Sequence, residues 1–249
     1  MGTLTFSQLG RYGRFGNQLF QIASTIGIAK KLRYNFAFPK WINYDAAERF
    51  GTKEPIDIYN YILNDLPEIT NFAGYKQQFV HWGYHNVRLH ENNWDISGHM
   101  QSEKYFDHCA NLIRHYFTFK DEPDPINACA IHVRLGDYGG DYHPRQPMEY
   151  YRKAMDIIKA DSYIIFSDSP DDAEVLFPDA TISRSTNYIE DFKLMKACHS
   201  FIIANSTYSW WAAWLGNQEG KKVIAPALWF GPAAGLDTRD IYAKDWIII

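Results

Sequence analysis

Apolar and polar positions follow two textures along this chain. In the first, Leu4 to Gln8 reads as a short strand, followed by a loop punctuated by Gly10, Gly13 and Gly16. Asn17 is placed to cap a helix, and Leu19, Ile22, Ala23, Ile26 and Ala29 then recur at helical spacing as far as Lys31. A second strand is predicted over Asn35 to Phe38, stopped by Pro39. Residues 40–95 mix aromatic and polar positions without a clean period, and Trp94 to Gly98 reads as a further strand. Phe106, Cys109, Leu112, Ile113 and Tyr116 give Tyr105–Phe117 a helical pattern. The charged, twice-prolyl segment Lys120 to Pro125 reads as a linker.

Beyond it the second texture is regular. Apolar runs predict strands at Cys129–Val133, Tyr163–Ser167, Thr181–Ser183, Phe201–Ala204 and Val223–Ala225. Helical patterns lie between them near Met148–Lys159, Asp171–Leu176, Ile189–Ala197 and Thr207–Leu215. Alternating strands and helices predict a parallel sheet covered on both faces, which is why its strands are apolar throughout. The expected organisation is an α/β chain of two domains, residues 1–122 and 126–249.

Composition narrows the function. A chain of 249 residues carrying a net charge of −4 offers no basic field for a nucleic-acid partner. The three cysteines, Cys109, Cys129 and Cys198, lack metal-type spacing and read as reduced thiols suited to a reducing compartment. The N-terminal residues lack the basic start and apolar stretch of a signal peptide, and Phe6 breaks the myristoylation pattern at Gly2. No apolar run reaches the roughly 20 residues of a membrane span. A cytoplasmic protein without an integral membrane segment is therefore expected, with peripheral contact to a membrane through an acceptor left open.

Candidate chemistry gathers at strand ends, where parallel α/β sheets bind ligands. The predicted strands finish in His132 and Arg134, in Ser167 and Asp168, and in Asn205, Ser206 and Thr207. Each has a plain structural alternative: a satisfied buried histidine, a turn aspartate, an ordinary helix cap. Their coincidence favours a binding edge. Arg134 carries a permanent charge on a planar fork of donors, and the helix opening at Ser206-Thr207 presents free amides and the positive end of its dipole. Together they suit a diphosphate held without a metal. The loop GRYGRFGN is a second anion-friendly turn, but it ends in neither a Gly-Lys-Ser/Thr triphosphate loop nor a dinucleotide fingerprint. No metal site is expected: Asp-x-Asp pairs are absent, and His81 and His85 flank a non-helical Gly83. No Gly-x-Ser-x-Gly elbow supports a serine hydrolase. Asp137, Asp141 and His143 share a loop with Arg134. Asp137 or Asp141 is a candidate proton acceptor, against the alternatives of a solvated acidic loop or, for Asp137, a prop for Arg134.

Five segments in order resemble glycosyltransferase family 11, the α-1,2-fucosyltransferases. These are Gly13-Arg14-Phe15-Gly16-Asn17-Gln18-Leu19-Phe20-Gln21, Gln101-Ser102-Glu103-Lys104-Tyr105-Phe106, His132-Val133-Arg134-Leu135-Gly136-Asp137-Tyr138, Phe166-Ser167-Asp168 and Asn205 to Leu215. The resemblance implies a GT-B-like fold of two Rossmann-type halves with a donor cleft between them. It implies a GDP-β-L-fucose donor, a glycan acceptor such as galactose whose O2 receives the fucose, inversion, and no metal or other cofactor. The N-terminal half would take the acceptor and the C-terminal half the donor. By position, Arg134 would contact the diphosphate and Asn17 would lie near the reacting groups. Gly16, His132, Asp168, Ser206, Thr207 and Ser209 would line the donor side. The chain departs from the family at Leu135, where a second arginine is usual. That departure keeps open a transferase using another nucleotide sugar. A non-catalytic glycan-binding module is the further alternative.

Overall fold

The structure, a computed structural model, describes residues 1–44 and 55–249. Part of the unpatterned stretch 40–95, residues 45–54, lies outside the described residues. The chain forms two compact units: Met1–Lys120 with Arg239–Ile241, and Asp121–Thr238 with Tyr242–Ile249.

Unit 1 is built on a four-stranded parallel sheet of order β2-β1-β6-β5. Its strands are β1 (Thr3–Thr5), β2 (Asn35–Phe36), β5 (Lys76–Phe79) and β6 (Trp94–Ser97). A separate antiparallel pair joins β3 (Ile42–Asn43) to β4 (Ile56–Asp57). Helix α1 (Phe15–Leu32) is buried on every side from Phe15 to Ala29, apart from Asn17. The buried Gln18 is fully paired: its amide donates to Gly13 O at 2.8 Å and Asn43 Oδ1 at 2.9 Å, and accepts from Trp41 Nε1 at 2.7 Å. Gly27 lets the backbone of Tyr105 lie directly on the helix, since a Cβ there would sit 2.0 Å from Tyr105 O.

Expected bounds shift in unit 1: β1 stops at Thr5 rather than Gln8, β2 at Phe36 rather than Phe38, and two helices begin elsewhere. Asn17 is not the helix cap. The helix begins at Phe15, with extended Arg14 in the capping position and no side-chain cap bond. Gly13, at φ +83°, turns the chain early enough for buried Phe15 to open the helix. Over 105–117 the helix proper is only α2 (Ala110–Tyr116), preceded by 3₁₀ turns at Glu103–Tyr105 and Asp107–Cys109.

Unit 2 is a six-stranded, all-parallel sheet of order β12-β11-β10-β7-β8-β9. Its strands are β7 (Ile126–Val133), β8 (Tyr163–Ser167), β9 (Thr181–Ile182), β10 (Cys198–Ile202), β11 (Val223–Ala225) and β12 (Ile247–Ile248). The crossovers carry α3 (Met148–Ile158), α4 (Pro170–Leu176), α5 (Tyr188–Ala197) and α6 (Thr207–Leu215). One core cluster joins Cys129, Ile131 and Val133 of β7 to Tyr151 and Ala154 of α3, Ile165, Ile202 and Ile224. Helix α6 contributes Trp210 and Trp211, both fully buried, and Trp210 lies 5.2 Å from Trp246 between ring centroids. Trp214 of the same helix is buried as well, so all three tryptophans of α6 serve the core.

Candidate active site

In unit 2 the three strands with polar ends are neighbours: β10 pairs with β7, and β7 with β8. Val133 is in register with Ser167, and Ile202 with Ile131, so the residues that follow share one carboxyl edge.

His132, the penultimate residue of β7, is buried, with Nδ1 2.8 Å from Ser209 Oγ and its ring centroid 5.6 Å from that of Tyr208. It ties β7 to the first turn of α6. Burial, and then the charge of Arg134, holds its imidazole well below the ordinary histidine range. His132 is therefore a neutral hydrogen-bonding strut.

Arg134 follows one residue later. Its side chain is 13% exposed, so most of it is out of solvent. Nη1 lies 3.2 Å from Asp168 Oδ2, Nη2 donates to Asp137 Oδ1, and the buried Nε has no hydrogen-bond partner. The guanidinium carbon sits 5.0 Å from the centre of the Tyr138 ring. Asp168 accepts two further bonds, from the amides of Leu135 at 2.9 Å and Gly136 at 3.1 Å. It thereby pins the turn that leaves β7. Gly136 is required at this approach, because a Cβ would come within 2.7 Å of Asp168 Oδ2. The Leu135 side chain packs against the core cluster of β7 and α3, so this position serves packing.

The loop after β7 is closely tied. Tyr138 donates its hydroxyl to Asn205 O at 3.0 Å, and its ring stacks on His143 at 5.1 Å. Arg145 donates through Nε to Tyr138 O at 2.8 Å and through Nη2 to Leu135 O. The Asn205 amide donates to Pro144 O at 3.1 Å and Trp229 O at 2.9 Å, which binds this loop to the segment after β11. Asp141 is exposed on the loop, while its backbone is covered by Gly231, where a Cβ would meet Asp141 O at 2.0 Å.

Helix α6 opens at Ser206, whose backbone is extended and whose side chain makes no capping bond. Ser206 and Ser209 are buried beside it. Of the sequence-derived candidates, His132, Arg134, Asp137, Asp168, Ser206, Thr207 and Ser209 thus fall on the β10-β7-β8 edge or the first turn of α6, and Asp141 on the adjoining loop. Gly16 and Asn17 belong to unit 1, in the first turn of α1, where Asn17 Oδ1 accepts from Gln101 Nε2 at 2.9 Å. The sequence reading gave no role to Arg145 or to the Asn205 amide. An arginine ten residues beyond its partner carbonyl carries no local signal, and in the sequence Asn205 stands only as one more polar strand end.

Among the described residues, no group of three His, Cys, Asp or Glu side chains is placed to hold a metal ion. No helix among them is long and apolar enough to cross a membrane.

The chain matches the sequence profile of Glycosyl transferase family 11 over residues 8–249. It is 37% identical to the O-antigen biosynthesis glycosyltransferase WbnK of Escherichia coli over 136 residues, which span 49% of this chain and 44% of that one. It is 26% identical to an alpha-1,2-colitosyltransferase of Escherichia coli, covering 95% of this chain and 96% of that one. Among solved structures, the NodZ alpha-1,6-fucosyltransferase soaked with GDP-fucose aligns over 91% of this chain and 95% of its own, with TM-score 0.56 and 14% identity. Fold and sequence together define a glycosyltransferase with a GT-B-like fold. Within that class the chain belongs to glycosyl transferase family 11.

Proposed function

We propose that the protein is an inverting α-1,2-fucosyltransferase. In this reading it moves L-fucose from GDP-β-L-fucose to O2 of a galactose or similar glycan residue. One observation carries the reading: at the carboxyl edge of the unit 2 sheet, a largely buried arginine keeps a buried Nε–H without a partner. Beside it, the nine-residue helix α6 begins without a side-chain cap. An unpaired buried donor is costly unless a ligand completes it, and a helix start favours negative charge. The α-1,2 linkage rests on the motif resemblance and on the colitosyltransferase relative.

The chemistry follows from charge. As the bond from the anomeric carbon to the β-phosphate oxygen breaks, its electron pair moves to GDP. Arg134 and the first turn of α6 stabilise the developing charge; a single such donor in a water-poor site is worth about 3–4 kcal/mol. The acceptor hydroxyl attacks the opposite face of the sugar, and inversion results. Asp141, exposed on the loop, is the remaining carboxylate candidate for its proton, because Asp137 is engaged by Arg134. Asp168 positions the arginine and the turn rather than meeting the sugar.

A second reading keeps the mechanism and changes the donor sugar. The near full-length alignment with a colitosyltransferase favours it. Thermal shift decides first on the nucleotide: GDP stabilises the protein by mass action and UDP does not. Arg134→Ala then removes most of the GDP-induced shift while the unliganded midpoint stays within a few degrees. Transfer assays with the GDP-linked forms of fucose and colitose separate the two sugars. Equal stabilisation by UDP, or an Arg134→Ala protein that turns over normally, overturns the proposal.

A further inference from the structure

Arg134 is held unequally by its two carboxylates. Asp168, 17% exposed, receives two backbone amides besides the guanidinium and is built into the turn. Asp137, 44% exposed, reaches Nη2 from the loop surface. Nη2 and the unpaired Nε share one edge of the planar guanidinium, the edge that receives two oxygens of a phosphate side by side. Of the two nitrogens on that edge, Nη2 is already engaged, and its partner is an exposed anion. A carboxylate at such a place competes with every other anion for the same donors.

We propose that Asp137 is a specificity-determining residue that guards this edge. Its carboxylate stands in for a phosphate on Arg134, and a diphosphate anchored by its nucleoside displaces it, whereas a weakly held free anion does not. The inference rests on the reading that the edge receives a GDP-sugar. It adds that access is conditional: the incoming ligand must out-compete an internal rival, and the Nε–H gains its partner only when the rival leaves. Inorganic phosphate and sulfate, abundant and small, are thereby kept off the site. The opposing view makes Asp137 a prop that orients Arg134, and it predicts the opposite sign.

The test is calorimetric titration of GDP and, separately, of inorganic phosphate at fixed ionic strength. Wild type is compared with Asp137→Asn, Asp137→Ser and Asp168→Asn. The serine variant serves if the asparagine variant does not fold. Loss of one partly exposed charge competitor makes GDP binding roughly three- to tenfold tighter in the Asp137 variants. Phosphate at millimolar concentration, without effect on wild type, becomes a ligand and a competitor of GDP. Asp168→Asn moves GDP affinity the other way, because the turn loses its anchor. Weaker or unchanged GDP binding in both Asp137 variants, with no gain of phosphate binding, overturns the inference. A wild type that binds no GDP sinks the donor reading instead, and the phosphate titration still decides the role of Asp137.

Discussion

Asp191→Asn is expected to stabilise this protein at neutral pH, although it deletes a charge in the first turn of a helix. Asp191 lies in the first turn of α5 and accepts a hydrogen bond from the Ser183 hydroxyl. Burial outweighs that bond and pushes its carboxyl from the ordinary 3.8 up to about 6. An acid whose folded pKa is raised contributes its stability below the unfolded value, near pH 4. That contribution is lost as pH rises through 6, leaving an ionised carboxylate in a poor medium. At ~1.4 kcal/mol per pH unit, the displacement amounts to roughly 3 kcal/mol at pH 7.5. Loss of the favourable helix-dipole term returns about 0.5 kcal/mol. Asparagine keeps an acceptor for Ser183 and carries no charge. Urea unfolding should therefore show a gain of about 1.5–2.5 kcal/mol at pH 7.5, shrinking to nothing near pH 4. Parallel stability-against-pH curves for the two proteins between pH 4 and 7 would refute the reasoning, as would a loss at pH 7.5.

Two further outcomes follow from named contacts. His132 is held neutral in the fold, so stability is full above its ordinary 6.5 and declines below it by about 1.4 kcal/mol per pH unit; His132→Asn should flatten that decline in urea titrations at pH 6.5 and 5.5. Gly27→Ala places a methyl 2.0 Å from Tyr105 O, a backbone atom, so the gain of about 1 kcal/mol in helix propensity is outweighed and net stability falls by about 2–4 kcal/mol in denaturant unfolding. A more stable Gly27→Ala protein would show that the segment around Tyr105 yields freely.

Legibility in the sequence followed burial. β8, β11 and α6 were read to the residue, because each is an apolar run closed by turn residues and covered on both faces. β5, Lys-Gln-Gln-Phe, escaped: it is an edge strand, mostly exposed, and pairs through its backbone with β6. β10 begins at Cys198, directly where α5 ends, and the sequence placed it at Phe201–Ala204 because His199 and Ser200 interrupt the apolar run. The candidate edge was legible as residue types at strand ends. The partnerships were not: that Asp168 takes the Leu135 and Gly136 amides, that His132 meets Ser209, and that Leu135 faces the core all depend on register and on loop closure.

The short excursion Arg239–Ile241 has a practical corollary for anyone dissecting this enzyme. Asp240 accepts from the Tyr84 amide at 3.2 Å and pairs with Lys104, and Ile241 is 1% exposed. The polypeptide thus crosses from one unit to the other three times, at 120/121, 238/239 and 241/242. A protease nick in the 120–125 segment would leave two fragments still interlaced, and a recombinant piece ending at Lys120 would lack a plug that its own surface is shaped to receive.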